Sequence, residues 1–444
     1  MKNIKMASVV ASFLLGAIAL TGCTGRTIMS NGNDAASIVA VTAKELQAPV
    51  LGEQSPSVQA AAKGANDFAF KLSGILAEDA GNKNLVSSPY SVWLPLAALV
   101  NATSGDIRTE LLTALNASGI SVEDLNSAAS RMLYDLTNVR EKEFAKEYGE
   151  KDYNNPLKIA NALFVGNNVT PNKTFAQVFM DYYRGSVMKV DFGSKEAVDA
   201  VNNWASDNTE GLIKNIVNEF DPETVAAIAN AIYFSDRWER EFNVSETRED
   251  AFHSPNGETK AFYMLREGDG QTYYEDDKLQ AMPLRFSSGG GLYILLPKDG
   301  DATSLLSSLT SDYFEEIQND AIRATGKLLL PRFNIDGDIL KLTDMLKALG
   351  VPLFDEALAP LTGGLLEETI PVWLSDAAHK AVIKVDEKGT TAAAVTVMTA
   401  NGTSMPQPTE PFVMDCNKPF VFVLYSDTYD AGTQVLFTGM VNEP

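Results

Sequence analysis

Apolar positions after residue 57 recur at the three and four spacings of one helical face: Ala61, Ala65, Phe68, Leu72, Ile75 and Leu76. Ser57 is a residue type that caps such a helix, so a folded domain is expected to start there. Helical patterning dominates to about residue 218. Beyond it, the runs 229–234, 291–296 and 327–330 read as strands, and 381–386 is strand-like. The last two apolar runs, 420–425 and 434–441, are continuous and joined by 426–433, which predicts a hairpin buried on both faces. Helices followed by strands predict an α+β fold. No repeat of 20 to 50 residues appears, and only short loops at 287–291 and 399–411 interrupt the pattern, so residues 57–444 are expected to form one domain.

The amino-terminal region is patterned differently. Lys2 and Lys5 precede an apolar run over 7–20 that is too short for a stable spanning helix. The run ends in Leu20, Thr21, Gly22 and Cys23, which resembles the lipobox of bacterial lipoproteins. Residues 1–22 are therefore expected to be a signal peptide, with Cys23 lipidated and residues 23–56 a flexible tether. The alternative is an ordinary secretory signal with a chance cysteine. The expected location is the bacterial cell envelope, lipid-anchored, periplasmic-facing or surface-exposed, with the membrane contacted only through that lipid. After residue 22 no apolar segment approaches the roughly 18 residues of a span.

Composition narrows the chemistry. The formal charge is -22, and since Lys2 and Lys5 are the only charges before residue 23, the processed chain stands at -24, which argues against nucleic acid as a partner. After processing only Cys416 remains, so no intramolecular disulfide can form. Cys416 precedes an apolar strand and reads as a buried structural thiol. Two histidines, His253 and His379, leave few ways to build a zinc cluster or a histidine-based triad. Gly-x-Ser-x-Gly, Walker and Gly-x-Gly-x-x-Gly motifs are absent, and the 58 acidic residues carry no specific glycosidase signal. No cofactor, metal or catalytic residue is expected. The six Asn-x-Ser/Thr triplets, at Asn101, Asn116, Asn168, Asn172, Asn243 and Asn401, read as chance.

The unusual segment is 387–401: Glu387, Lys388, Gly389, Thr390, Thr391, Ala392, Ala393, Ala394, Val395 and onward through Asn401. From composition alone it could be an Ala/Thr-rich surface loop or an edge strand. Its first nine residues resemble the hinge of the serpins, serine protease inhibitors, and further resemblances follow in the family's order. They include Asn66, Phe68, Ala69 and Leu72; Ser88, Pro89 and Ser91; and 160–164. The run Asn230, Ala231, Ile232, Tyr233, Phe234 with Trp238, Glu239 and Phe242 is the strongest. Leu330 to Phe333, His379 to Ala381, Asn417 and the final Gly439, Val441, Asn442 and Pro444 complete the series.

The resemblance implies a serpin fold of three β-sheets and eight or nine helices, with an exposed reactive center loop. It implies no enzyme activity but a protease inhibitor that traps its target as a suicide substrate while the cleaved loop inserts as a strand; a monomer is expected. Counting as the family does from Gly389 places the reactive bond at Thr403 and Ser404, with a register open by a residue or two. It gathers Ser88, Ser91, Asn230, His379 and Trp238 in a sheet-opening cluster, with Trp238 covering the sheet where the hinge enters, and pairs Glu387 with Arg332. For His379 the other reading is an ordinary core histidine. Between Gly389 and Ser404 there is no proline and no charge, which suits insertion. No Lys or Arg occurs from 389 to 417, so trypsin-like targets are disfavoured. Val397, Ala400 and Thr403 suit elastase-like proteases, with subtilisin-like enzymes second; Met398 or Met405 would suit chymotrypsin-like ones. The alternative function is that of a non-inhibitory serpin acting as a binding protein.

Overall fold

The amphipathic pattern around Phe68 becomes helix α1 (Pro56–Ala80). It starts slightly earlier than Ser57, because Ser55 takes the cap position and Pro56 supplies the fixed φ that suits a first helical residue. The structure is a computed structural model and describes residues 8–12, 37–38, 55–139, 157–221, 223–390, 411–428 and 431–444.

The first strands are β1 (Ser8–Ser12), β2 (Ser37–Ile38), β3 (Leu85–Ser87), β4 (Leu157–Gly166), β5 (Gly185–Val190), β6 (Thr224–Phe234) and β7 (Asp236–Arg237). Next come β8 (Arg248–Ser254), β9 (Gly257–Glu275), β10 (Leu279–Arg285), β11 (Gly291–Pro297), β12 (Ile322–Pro331) and β13 (Phe333–Asp336). The last are β14 (Leu340–Lys341), β15 (Leu374–His379), β16 (Val382–Asp386), β17 (Gly389–Thr390), β18 (Phe412–Asp415), β19 (Phe420–Thr428) and β20 (Gly432–Val441). Among the described residues they form three sheets. A seven-stranded sheet runs β14-β15-β1-β6-β4-β5-β2; a nine-stranded one runs β18-β12-β9-β10-β11-β19-β20-β3 with β8 beside β9; a four-stranded one runs β13-β16-β17-β7. With nine α-helices among the described residues, this is the expected α+β architecture of three sheets and eight or nine helices.

The core explains the layers. Helix α2 (Pro89–Leu99) is buried along its whole length and packs on β6 from one sheet and β20 from another, so it joins the two. The carboxy-terminal pair β19 and β20 is the expected buried hairpin, antiparallel from Phe420 opposite Val441 to Thr428 opposite Gly432. β20 also pairs with β3, so its other edge is covered. Asn66 on α1 secures the hairpin: its Nδ2 donates to the Thr433 carbonyl at 2.8 Å, and its Oδ1 accepts from Val435 N at 2.9 Å.

Two expectations change. The stretch up to 218 holds strands β4 and β5 among its helices; β4 is almost wholly buried, and a continuous apolar run has no period that separates strand from helix. The tether expected to be without structure contributes Ser37 and Ile38, which pair antiparallel with Lys189 and Met188 at the edge of β5.

Candidate functional site

The chain leaves β16, turns at Glu387 and Lys388, and returns as β17. This two-residue strand is antiparallel to both neighbours: Thr390 lies opposite Val385 and Asp236, and Gly389 opposite Asp386 and Arg237. Gly389 has φ +151°, and a Cβ there would lie 2.0 Å from the Asp236 carbonyl oxygen and 2.8 Å from Arg237 Cα. Only glycine fits so close to β7. Asp236 N donates to Thr390 Oγ1 at 3.3 Å, and Ser235 Oγ to the Thr390 carbonyl at 3.2 Å. Trp238 covers the turn. Its Nε1 donates to the Asp386 carbonyl and its backbone N to the Lys388 carbonyl, both at 2.9 Å, while its ring stacks on Phe286 with centroids 4.7 Å apart. Phe242 N donates to the Glu387 carbonyl at 2.9 Å, so residues 236–242 form a strap over the hinge.

Glu387 and Arg332 do pair. Arg332 Nε donates to both carboxylate oxygens at 2.9 Å, Nη2 adds a 2.6 Å bond, and Thr247 Oγ1 donates to Oε1. The Glu387 side chain is 5% exposed and that of Arg332 41%. Burial pushes the carboxyl up, but the donors from Arg332 and Thr247 outweigh it and hold Glu387 below the usual carboxylate range.

Below the hinge the seven-stranded sheet contains a strand position between β6 and β15, where β1 lies parallel to both. Between β1 and β17 the position is open as a cavity of about 290 Å³, lined by Ile232, Phe234, Val382, Ile383, Lys384 and Thr390 among others. Near the end of β1 stand the buried polar groups expected to gate the sheet. His379 Nε2 accepts from Ser88 N at 2.9 Å; Ser88 Oγ donates to the Leu436 carbonyl at 2.7 Å and lies 3.0 Å from Ser91 Oγ. With Nε2 accepting, the ring proton sits on Nδ1, which has no partner. Burial drives His379 down to about 3, so the ring is neutral.

Asn230 departs from the expected cluster. Its Nδ2 donates to Asn161 Oδ1 at 2.8 Å, across a β4–β6 pair, and its own buried Oδ1 has no partner. β1 lies between β6, which carries Asn230, and β15, which carries His379. Trp238 stands at the hinge and outside that cluster.

Three contributors were not foreseen. Asn161 is the centre of the first of two Ala-Asn-Ala triplets, 160–162, with 229–231 the other, and that echo was the available signal. Asp236 accepts from Ser288 N at 3.2 Å and Arg237 N at 2.8 Å, which ties β7 to the 287–290 loop. Thr247 offered no signal. Thr391, Ala392, Ala393, Ala394, Thr403, Ser404 and Cys23 lie outside the described residues.

Comparison with known proteins adds an independent result. A profile of the family described as Serpin (serine protease inhibitor) matches residues 63–444. An uncharacterized serpin-like protein of Thermococcus kodakarensis is 30% identical over 397 residues, 88% of this chain and 87% of that protein. Mouse alpha-1-antitrypsin 1-2 is 29% identical, covering 88% and 91%. The crystal structure of tengpin, a thermophilic serpin in its native state, superposes with a TM-score of 0.73 at 26% identity, covering 86% of this chain and 94% of tengpin.

Proposed function

The chain belongs to the serpin family, and from that premise we propose that it inhibits serine proteases by trapping them during insertion of its own cleaved loop. One observation carries the reading. The hinge β17 is already paired at the head of a strand position that continues as a cavity and then as the place held by β1.

The registers agree along that line. Continued without a bulge from Thr390 opposite Val385 and Asp236, the antiparallel rows put Met398 opposite Ala377 and Ile228. Those two residues both pair with Ala11 of β1, so the two strands describe one position. On the same rows Thr391 to Ala394 fall in the cavity, and their small side chains suit it. Thr396 falls opposite His379 and Asn230, where its hydroxyl could donate to the unpaired Asn230 Oδ1 and accept from the unpaired His379 Nδ1. A loop strand there is antiparallel to both neighbours, whereas β1 is parallel to both, and antiparallel pairing is the more stable per residue. At about 1 kcal/mol net per ladder bond, a dozen inserted residues release on the order of 10 kcal/mol, enough to distort an attached protease.

The finer parts of the proposal rest on sequence. Processing before Cys23 removes β1 and frees the position, and the lipid on Cys23 holds the serpin domain at the bacterial envelope through the 23–56 tether. The bait without Lys or Arg, with Val397, Ala400 and Thr403, supports elastase-like targets and a reactive bond between Thr403 and Ser404. The test is to mix the protein with excess neutrophil-type elastase and follow it by denaturing gel and mass spectrometry. A covalent complex with a released fragment starting at Ser404 is expected. Cleavage without complex by elastase, chymotrypsin and subtilisin alike would overturn the inhibitor reading.

A further inference from the structure

The strap over the hinge carries a second feature, unrelated to the insertion position. Arg240 on the strap and Arg266 on β9 fasten the two segments together: Arg266 Nη2 donates to the Arg240 carbonyl, and Arg240 Nη2 to the carbonyl of the next residue, Glu267, at 3.1 Å. Arg266 is 8% exposed, its guanidinium lies 4.3 Å from the centroid of the Phe242 ring, and its Nε is enclosed with no hydrogen-bond partner. Among the described residues neither arginine is within ion-pair distance of a carboxylate. Burial, and then repulsion from Arg240, pull Arg266 down to about 9, with only Glu239 opposing.

Such a pair is out of place in a chain with 58 acidic and 36 basic residues. A buried guanidinium without a counter-charge is strongly unfavourable, and most buried charges are paired. The surroundings leave room for a counter-charge. Gly268, with φ +146°, faces Arg240; the place where its Cβ would stand is 3.7 Å from both Arg240 Nη atoms. Chain neighbours of Gly268 aside, that place has no other heavy atom within 4 Å.

We infer that Arg240 and Arg266 form a seat for a single oxyanion of the carboxylate or sulfate kind, and that its occupation stiffens the strap over the hinge. Guanidinium groups donate in a planar fork that matches both kinds of anion. The mechanical link is Phe242, whose ring lies under Arg266 and edge-on to Trp238 at 6.4 Å, and whose backbone N holds the Glu387 carbonyl. Anion binding needs no protease, so its test is separate from that of the inhibitory mechanism.

The experiment replaces chloride by sulfate, and in a second series by acetate, at constant ionic strength and follows unfolding of the whole protein. Sulfate stabilises any folded protein through exclusion from its surface, without saturating. A seat adds a saturating component: at ten times the dissociation constant the unfolding equilibrium constant falls about elevenfold. The wild type is expected to show it with at least one of the two anions, and R240Q, altered at an exposed position, to lose it while keeping the non-saturating part. Amide exchange at Trp238 and Phe242 is expected to slow by a similar factor on binding. A wild type with no saturating component in either series, or an R240Q that retains it, would overturn the seat; unchanged exchange at those two amides would overturn its coupling to the hinge.

Discussion

Replacing Arg332 by alanine removes every charged donor that the Glu387 carboxylate receives, three contacts of 2.6 to 2.9 Å, and leaves that nearly enclosed group with Thr247 and its own backbone N–H. Breaking a fully buried ion pair costs roughly 3–5 kcal/mol. Here the arginine end is 41% exposed and partly screened, so the expected loss is about 2 kcal/mol. Glu387→Gln keeps a hydrogen-bonding amide and removes the charge, at about 1–2 kcal/mol. In the double variant no buried charge is stranded, so its cost falls short of the sum of the two single changes by about 1–1.5 kcal/mol. The assay is the first transition in urea, read by tryptophan fluorescence at pH 7 for the four proteins of the cycle. Because the folded carboxyl titrates below its unfolded value, the coupling is present above about pH 4.3 and fades as pH falls through the folded value. A coupling below about 0.5 kcal/mol at pH 7 would refute the argument that the pair fastens the hinge.

Three further outcomes are expected. Gly389→Ala cannot keep β17 beside the Asp236 carbonyl; losing its ladder bonds to β7 should cost about 2 kcal/mol and expose the hinge to limited proteolysis, and an unchanged digestion pattern would contradict this. His379 is neutral in the fold and titrates near 3, against about 6.5 unfolded; the unfolded chain takes up the proton first, so stability is level above about pH 6.5 and drops by about 1.3 kcal/mol between pH 7 and 5.5. His379→Gln should flatten that slope, and equal slopes in the two proteins would count against a neutral buried ring. Thr396→Val should reduce the rise in thermal midpoint that follows loop cleavage by about 1 kcal/mol's worth, while a full rise would disprove the register that sets Thr396 between Asn230 and His379.

Much of this architecture could be read from residue order. The Asn230 to Phe242 run and the Glu387 to Thr390 run belong to the most constrained places, a buried central strand and a hinge where only Gly389 fits. Boundaries were less legible: Ser55 and Pro56 start α1 because capping depends on φ at one residue, which a hydrophobic pattern does not encode. β4 hid among helices because burial on both faces erases the period of two. The link of Asn161 to Asn230, and the closeness of Arg240 to Arg266, depend on which strands become neighbours, and no spacing along the chain records that. The Asn230 amide donates to Asn161, and β1 lies between the strands that carry Asn230 and His379.

The carboxy-terminal hairpin has a consequence for how the molecule comes into being. Asn66 in the first helix waits for Thr433 and Val435, 367 and 369 residues later, and β3 waits for β20 across a similar span. Until residues 432–441 have been made, the faces of α1, α2 and β3 that β20 covers lack that strand. A chain with such distant partners acquires its native topology slowly and late, and exposes apolar surface while it waits. A product that stops before Gly432 would lack β20 and leave bare the faces of α1, α2, β3 and β19 that it covers, so it should go to proteases or aggregates rather than persist as a slightly weakened version of the whole.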